Sequence, residues 1–144
     1  MLSQFNSCFY SSFVFFANVL LALYYKYYLY AFLFLILIIT STIHHCHYTA
    51  ETTVIDKIAI YCIVFYGGFL FYKKLMEYYK YGLNANQYVL SFLIISTFLS
   101  NIFLYYYGYL YECFCFSSDK SASDLSHSLL HCLGCFGHCC IVLF

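Results

Sequence analysis

Charge is what this chain has least of. Only 8% of its 144 residues are charged, against 65% hydrophobic, and it contains no Pro and no Trp. Soluble domains carry about 25% charged residues, so the scarcity excludes an ordinary soluble domain and makes lipid the solvent. All six cations are lysines, they are scattered, and the formal net charge is zero. No basic patch is left to track a phosphate backbone, which excludes nucleic-acid binding. The first apolar run lacks the basic start and small-residue cleavage site of a signal peptide, so it reads as a retained span.

Cysteine, by contrast, is plentiful, with nine residues. In a small secreted protein that number would suggest a disulfide framework. Here Cys113, Cys115, Cys132, Cys135, Cys139 and Cys140 sit in or beside apolar stretches, where a thiol behaves as a small hydrophobe. Cys132 and Cys135 form a C-x-x-C pair, but without the soluble context of a zinc or redox motif.

A membrane-spanning helix needs about 20 apolar residues. Five segments qualify, at 6–25, 27–46, 54–72, 87–111 and 125–144, and they predict a single all-α transmembrane bundle over residues 1–144. Only SSDKSASD (117–124) reads as a soluble loop. The tyrosine clusters YYKYYLY (24–30), YKKLMEYYKYG (72–82) and YYYGYLY (105–111) fall at predicted helix ends. A Tyr ring is apolar while its hydroxyl seeks water, so it favours the headgroup region. Lys26, Lys73, Lys74 and Lys80 fall on one face of such a bundle, and Lys57 and Lys120 on the other. The positive-inside rule turns the four-lysine face to the cytosol.

Polar chemistry is confined to a few places. STIHHCHYTAETTVID (41–56) follows a run, Tyr27 to Thr40, with no charge at all. The last segment holds His127 and His131, four apart, so both imidazoles point the same way from one helical turn. With five spans, the end of the second, the start of the third and the start of the fifth share one membrane face. Ser41, His45, Asp56, His127 and His131 can therefore meet. Ionisable groups at membrane depth are costly and usually functional. A catalytic zinc takes three protein ligands and a water, and a pair of His on one turn supplies two of them. On spacing alone His44, His45 and His47 compete for the third place. His138, seven residues beyond His131, lies on the same face about 10 Å deeper, and reads as a buried histidine bonded to a neighbouring helix.

The order Ser41-x-x-x-His45, then Asp56 eleven residues on, then a terminal His127-x-x-x-His131, resembles the alkaline ceramidase family. That family sits within a superfamily of seven-span membrane hydrolases with progestin and adipoQ receptors, hemolysin III proteins and lipid-remodelling proteins of GPI anchors. DKIAIYCIVFYG (56–67) and HSLLHCLGCFGHCCIVLF (127–144) are similar to the family's segments at the matching places. The chain departs from the pattern in having five predicted spans, Lys57 where the family has an acidic residue, and no Asp or Glu before Glu51.

The resemblance implies a Zn2+ site with His45, His127 and His131 as ligands. It implies Asp56 as the group that orients or deprotonates a water. Ser41, one turn before His45, would stabilise an oxyanion or bond that water. The activity implied is hydrolysis of a lipid amide such as ceramide, in sphingolipid metabolism, within an endoplasmic reticulum or Golgi membrane. The alternatives are a lipid ester hydrolase of the GPI-anchor branch, a non-catalytic receptor or scaffold stabilised by zinc, and a small transporter or channel that uses the His and Asp as a proton path. The missing acidic amino terminus implies that calcium matters little.

Overall fold

A computed structural model describes residues 7–144. It is 88% helix without strands, and five helices are long and apolar enough to cross a membrane. We label them α1 (Ser7–Tyr24), α2 (Tyr28–Cys46), α3 (Ala50–Tyr79), α4 (Ala85–Phe116) and α5 (Lys120–Leu143).

Their ends are set by local chemistry that apolarity does not reveal. The turn between α1 and α2 is tight: Lys26 takes a positive φ of 63° and the Tyr27 N–H reaches back to the Ala22 carbonyl at 2.8 Å. The third segment starts at Ala50 rather than at 54. Thr49 and Thr52 form a reciprocal capping box there, with N–H to hydroxyl bonds of 3.0 and 3.2 Å, which satisfies two otherwise orphaned donors. Asn84 and Gln87 open α4 in the same way, at 2.9 and 3.0 Å. Asp119 caps α5 by accepting from the Ser121 N–H at 2.9 Å, so residues 120–124 are helical and the predicted loop shrinks to 117–119. At the far end of α4 the helix widens into a π turn at Phe103–Tyr107, and a short 3-10 turn, Phe114–Phe116, follows Glu112 in the left-handed conformation.

The last helix is the hub. It packs against α1 on one side and α4 on the other, while α2 lies between α1 and α3. The core is formed by Phe15, Val19, Tyr30, Phe34, Leu37, Ile63 and Ile141. Small residues permit the closest approaches. A Cβ at Gly67 on α3 would stand 2.5 Å from the Tyr30 hydroxyl and 2.9 Å from the His138 ring, and one at Gly137 would stand 2.5 Å from Thr97 Oγ1. Lys74 donates to the carbonyls of Ile141 and Val142 at 3.0 and 2.9 Å and lies over the Tyr27 ring. A cation on the open carbonyls of a helix end is favourable. It also ties the end of α5 to the four-lysine end of the bundle. The outer surfaces carry large apolar side chains, among them Leu20, Phe65, Phe92 and Leu110. That is the pattern of a bundle dissolved in lipid, and the chain is an integral membrane protein in kind.

Candidate metal centre

Three imidazoles converge where α2 ends and α5 passes beside it. His45 is the penultimate residue of α2, and His127 and His131 stand one turn apart on α5. One ligand atom from each of the three lies within 4.8 Å of the others. The ring centroids are 5.0 Å apart for His45 and His127, 5.4 Å for His45 and His131, and 5.0 Å for His127 and His131. His127 is nearly perpendicular to both neighbours, at 87° and 88°. The rings are therefore not stacked but gathered about a common point.

Does this set fit a metal? Zn–N bonds of about 2.0 Å in a tetrahedral shell place ligand nitrogens about 3.3 Å apart, within reach of small rotamer adjustments from ligand atoms that lie within 4.8 Å of one another. A second observation points the same way. His45 Nε2 is buried, and among the described residues it has no hydrogen-bond partner. A buried polar atom left unpaired costs about 1–3 kcal/mol, a cost that a coordinated cation removes. The donor set, imidazole throughout, suits zinc. The three residues fit.

Ser41, Asp56, His44, His47 and His138 lie outside this three-histidine group. Ser41 is 1% exposed, and its Oγ lies 3.0 Å from Ser12 Oγ of α1. Asp56 is buried too, but it is not part of the group whose ligand atoms lie within 4.8 Å. Its Oδ1 accepts from the Thr40 hydroxyl at 3.2 Å, so it is held against the turn of α2 that carries Ser41. His44 points elsewhere: its Nδ1 lies 3.5 Å from the hydroxyls of Thr52 and Thr53, and Tyr48 covers its ring. His47 is the residue that ends α2. His138 is buried among Tyr30, Phe34 and Phe98, with its Nδ1 bonded to the Tyr30 hydroxyl.

Two residues escaped the sequence reading. Ser11 Oγ lies 2.8 Å from His131 Nδ1, and Phe15 packs on the same ring at a centroid distance of 5.6 Å. A signal for Ser11 existed. Ser11 and Ser12 are adjacent hydroxyls in an apolar run, near the start of a span whose beginning shares a membrane face with the histidines. Two open apolar grooves, of about 460 and 480 Å³, lie on the surface. The first runs between α4 and α5 along Leu99, Phe103, Leu129 and Leu133, and the second lies at the α2–α3 turn beside Tyr48 and Val54. Neither is lined by the three histidines. No family model matches this chain, and no curated protein or solved structure matches it either.

Proposed function

We propose that the chain is a zinc-dependent hydrolase of lipid amides, ceramidase-like, working in an endoplasmic reticulum or Golgi membrane. The observation that carries the reading is the convergence of His45, His127 and His131 from two helices, with the His45 Nε2 buried and unpartnered. His45, His127 and His131 hold the metal. When bound, zinc supplies a Lewis acid for a carbonyl and a water acidic enough to ionise near neutral pH.

The remaining work falls to the chain itself. Asp56 takes the proton from the attacking water and returns it to the leaving amine nitrogen as the amide C–N bond breaks. Thr40, donating to Oδ1, turns the carboxylate so that the other oxygen is the basic one. Ser41 fixes that water from the α2 side, one turn from His45. The lipid around the bundle presents the amide at headgroup depth, where the histidines lie near the end of α2. The same residues serve an ester of a lipid anchor, and the two substrates differ only in the leaving group. A second reading, a receptor or scaffold stabilised by zinc, rests on the same three histidines, which come from α2 and α5 and would tie the two helices together.

Purified protein in detergent micelles, assayed for zinc and for release of fatty acid from ceramide and from a lipid ester, tests these readings together. One zinc per chain with ceramide turnover, lost in His131→Ala, supports the amidase. Zinc without turnover of either lipid would favour the scaffold instead, and no zinc at all would remove the metal centre.

A further inference from the structure

Two adjacent hydroxyls on α1 reach two different site residues, and both are tied to a single carbonyl. Ser11 Oγ donates to the Cys8 carbonyl at 3.0 Å, and Ser12 Oγ donates to the same carbonyl at 2.9 Å. These are back-bonds to the preceding turn, the usual way a helical serine satisfies its proton. A carbonyl oxygen has two lone pairs and accepts both. The sequence SS places the hydroxyls side by side. The helix tightens to 3-10 from Ser12 to Phe15, and Ser12 is fully buried.

A serine has one proton. With that proton committed to Cys8, Ser11 Oγ meets His131 Nδ1 at 2.8 Å as an acceptor. On that assignment the imidazole is the donor, its proton sits on Nδ1 and Nε2 keeps its lone pair. The same logic applies one residue on. With the Ser12 proton on Cys8, Ser12 Oγ at 3.0 Å accepts from the Ser41 hydroxyl, which leaves Ser41 with oxygen lone pairs alone.

We infer that Ser11 is a positioning residue, which holds His131 in the Nδ1–H tautomer and so leaves Nε2 with the lone pair that a metal ligand needs. Free neutral imidazole favours the opposite tautomer, so this state needs a fixed acceptor at Nδ1. Which ring nitrogen binds a metal is set by the hydrogen bond that the other one makes. The inference rests on the metal reading above only for the ligand role; the tautomer belongs to the metal-free chain. It also narrows Ser41 from two roles to one. Its proton is engaged, so it accepts from a water and does not donate to an oxyanion.

Nitrogen-15 spectra of the histidines in metal-free, micelle-bound protein test the tautomer directly, with His131 assigned by its loss in His131→Ala. Wild type should show a protonated Nδ1 and an unprotonated Nε2. Ser11→Ala should move the proton toward Nε2, Ser11→Thr should restore it, and Ser12→Ala should leave the His131 signals in place. Zinc titration of the same samples should give a Kd raised ~10–100-fold in Ser11→Ala, the usual cost of removing a hydrogen-bond partner from a ligand, with recovery in Ser11→Thr. A proton on Nε2 in wild type, or a Ser11→Ala chain with unchanged tautomer and unchanged Kd, would overturn the inference. Wild type that shows the Nδ1–H tautomer yet binds no zinc would sink the metal reading and the ligand role, leaving the tautomer assignment standing.

Discussion

His131 and His138 stand seven residues apart on α5, on one face of the helix, and both are buried. Their surroundings differ in kind. His138 is enclosed by the rings of Tyr30, Phe34 and Phe98, and the Tyr30 hydroxyl occupies its Nδ1. His131 has one nitrogen on Ser11 and a ring gathered with His45 and His127. One histidine is satisfied by its neighbours and locks two helices together. The other is held by a single bond and faces two more imidazoles. Burial and spacing are alike at both positions, so the difference lies in what the neighbouring helices bring. At the His138 level α2 and α3 contribute an aromatic hydroxyl and a glycine; at the His131 level α1 and α2 contribute serines and a third histidine.

The largest effect that this contrast predicts is on metal content. Replacing His127 and His131 together by Ala leaves one imidazole, too few for a zinc site that needs three protein ligands. Bound zinc should fall from one per chain to none by elemental analysis. His138→Ala should retain full zinc, and a loss there would merge the two histidines that the structure separates. Acid should act in the same direction as the double replacement. Each ligand nitrogen must be unprotonated to bind, so protons compete with the metal and zinc affinity should fall as pH falls. Titrations at a series of pH values check the sign, and affinity rising toward acid would rule out imidazole ligation.

Asp56 comes next. It lies outside the group of close ligand atoms and is held by Thr40, so Asp56→Asn should keep zinc at one per chain. Ceramide turnover should drop at least ~10²-fold, the low end for a general base. Full turnover in Asp56→Asn would end the catalytic role. Loss of zinc would make the aspartate a ligand.

How much of this was legible in the sequence follows from what each part depends on. The five helices were readable because length and apolarity alone make a span, and no other element satisfies its own backbone in lipid. Their ends were not, because Thr49 with Thr52 and Asp119 with Ser121 act through side-chain bonds that hydropathy does not weigh. The parity of five spans foresaw that His45, His127 and His131 share one end of the bundle. Spacing alone could not choose among His44, His45 and His47. The structure separates them by rotation about α2, which turns His45 toward α5 and His44 toward Thr52 and Thr53. Ser11 was hidden because a serine in an apolar helix is usually satisfied by its own backbone. Here it is within reach of its own backbone and still lies 2.8 Å from His131 Nδ1.

The smallest effect expected on the metal, and the sharpest test of the comparison, comes from Gly67. A Cβ there would stand 2.5 Å from the Tyr30 hydroxyl and 2.9 Å from Cε1 and Nδ1 of His138. Those atoms belong to a packed core rather than to the ends of flexible chains, because Tyr30 and His138 are both buried and bonded to each other. Gly67→Ala must push α3 outward or break the Tyr30–His138 bond. Overpacking of this kind costs about 1–3 kcal/mol, and thermal unfolding in micelles should register it as a lower Tm. The cost should stay at that level of the bundle, since α3 contributes no ligand and His138 and His131 are about 10 Å apart along α5. Zinc affinity should therefore change by less than about twofold, as additivity holds for sites separated by more than 7–10 Å. If Gly67→Ala weakened zinc binding as strongly as it lowered Tm, the aromatic lock and the histidine cluster would be one cooperative unit. The two histidines of α5 would then differ in partners but not in function.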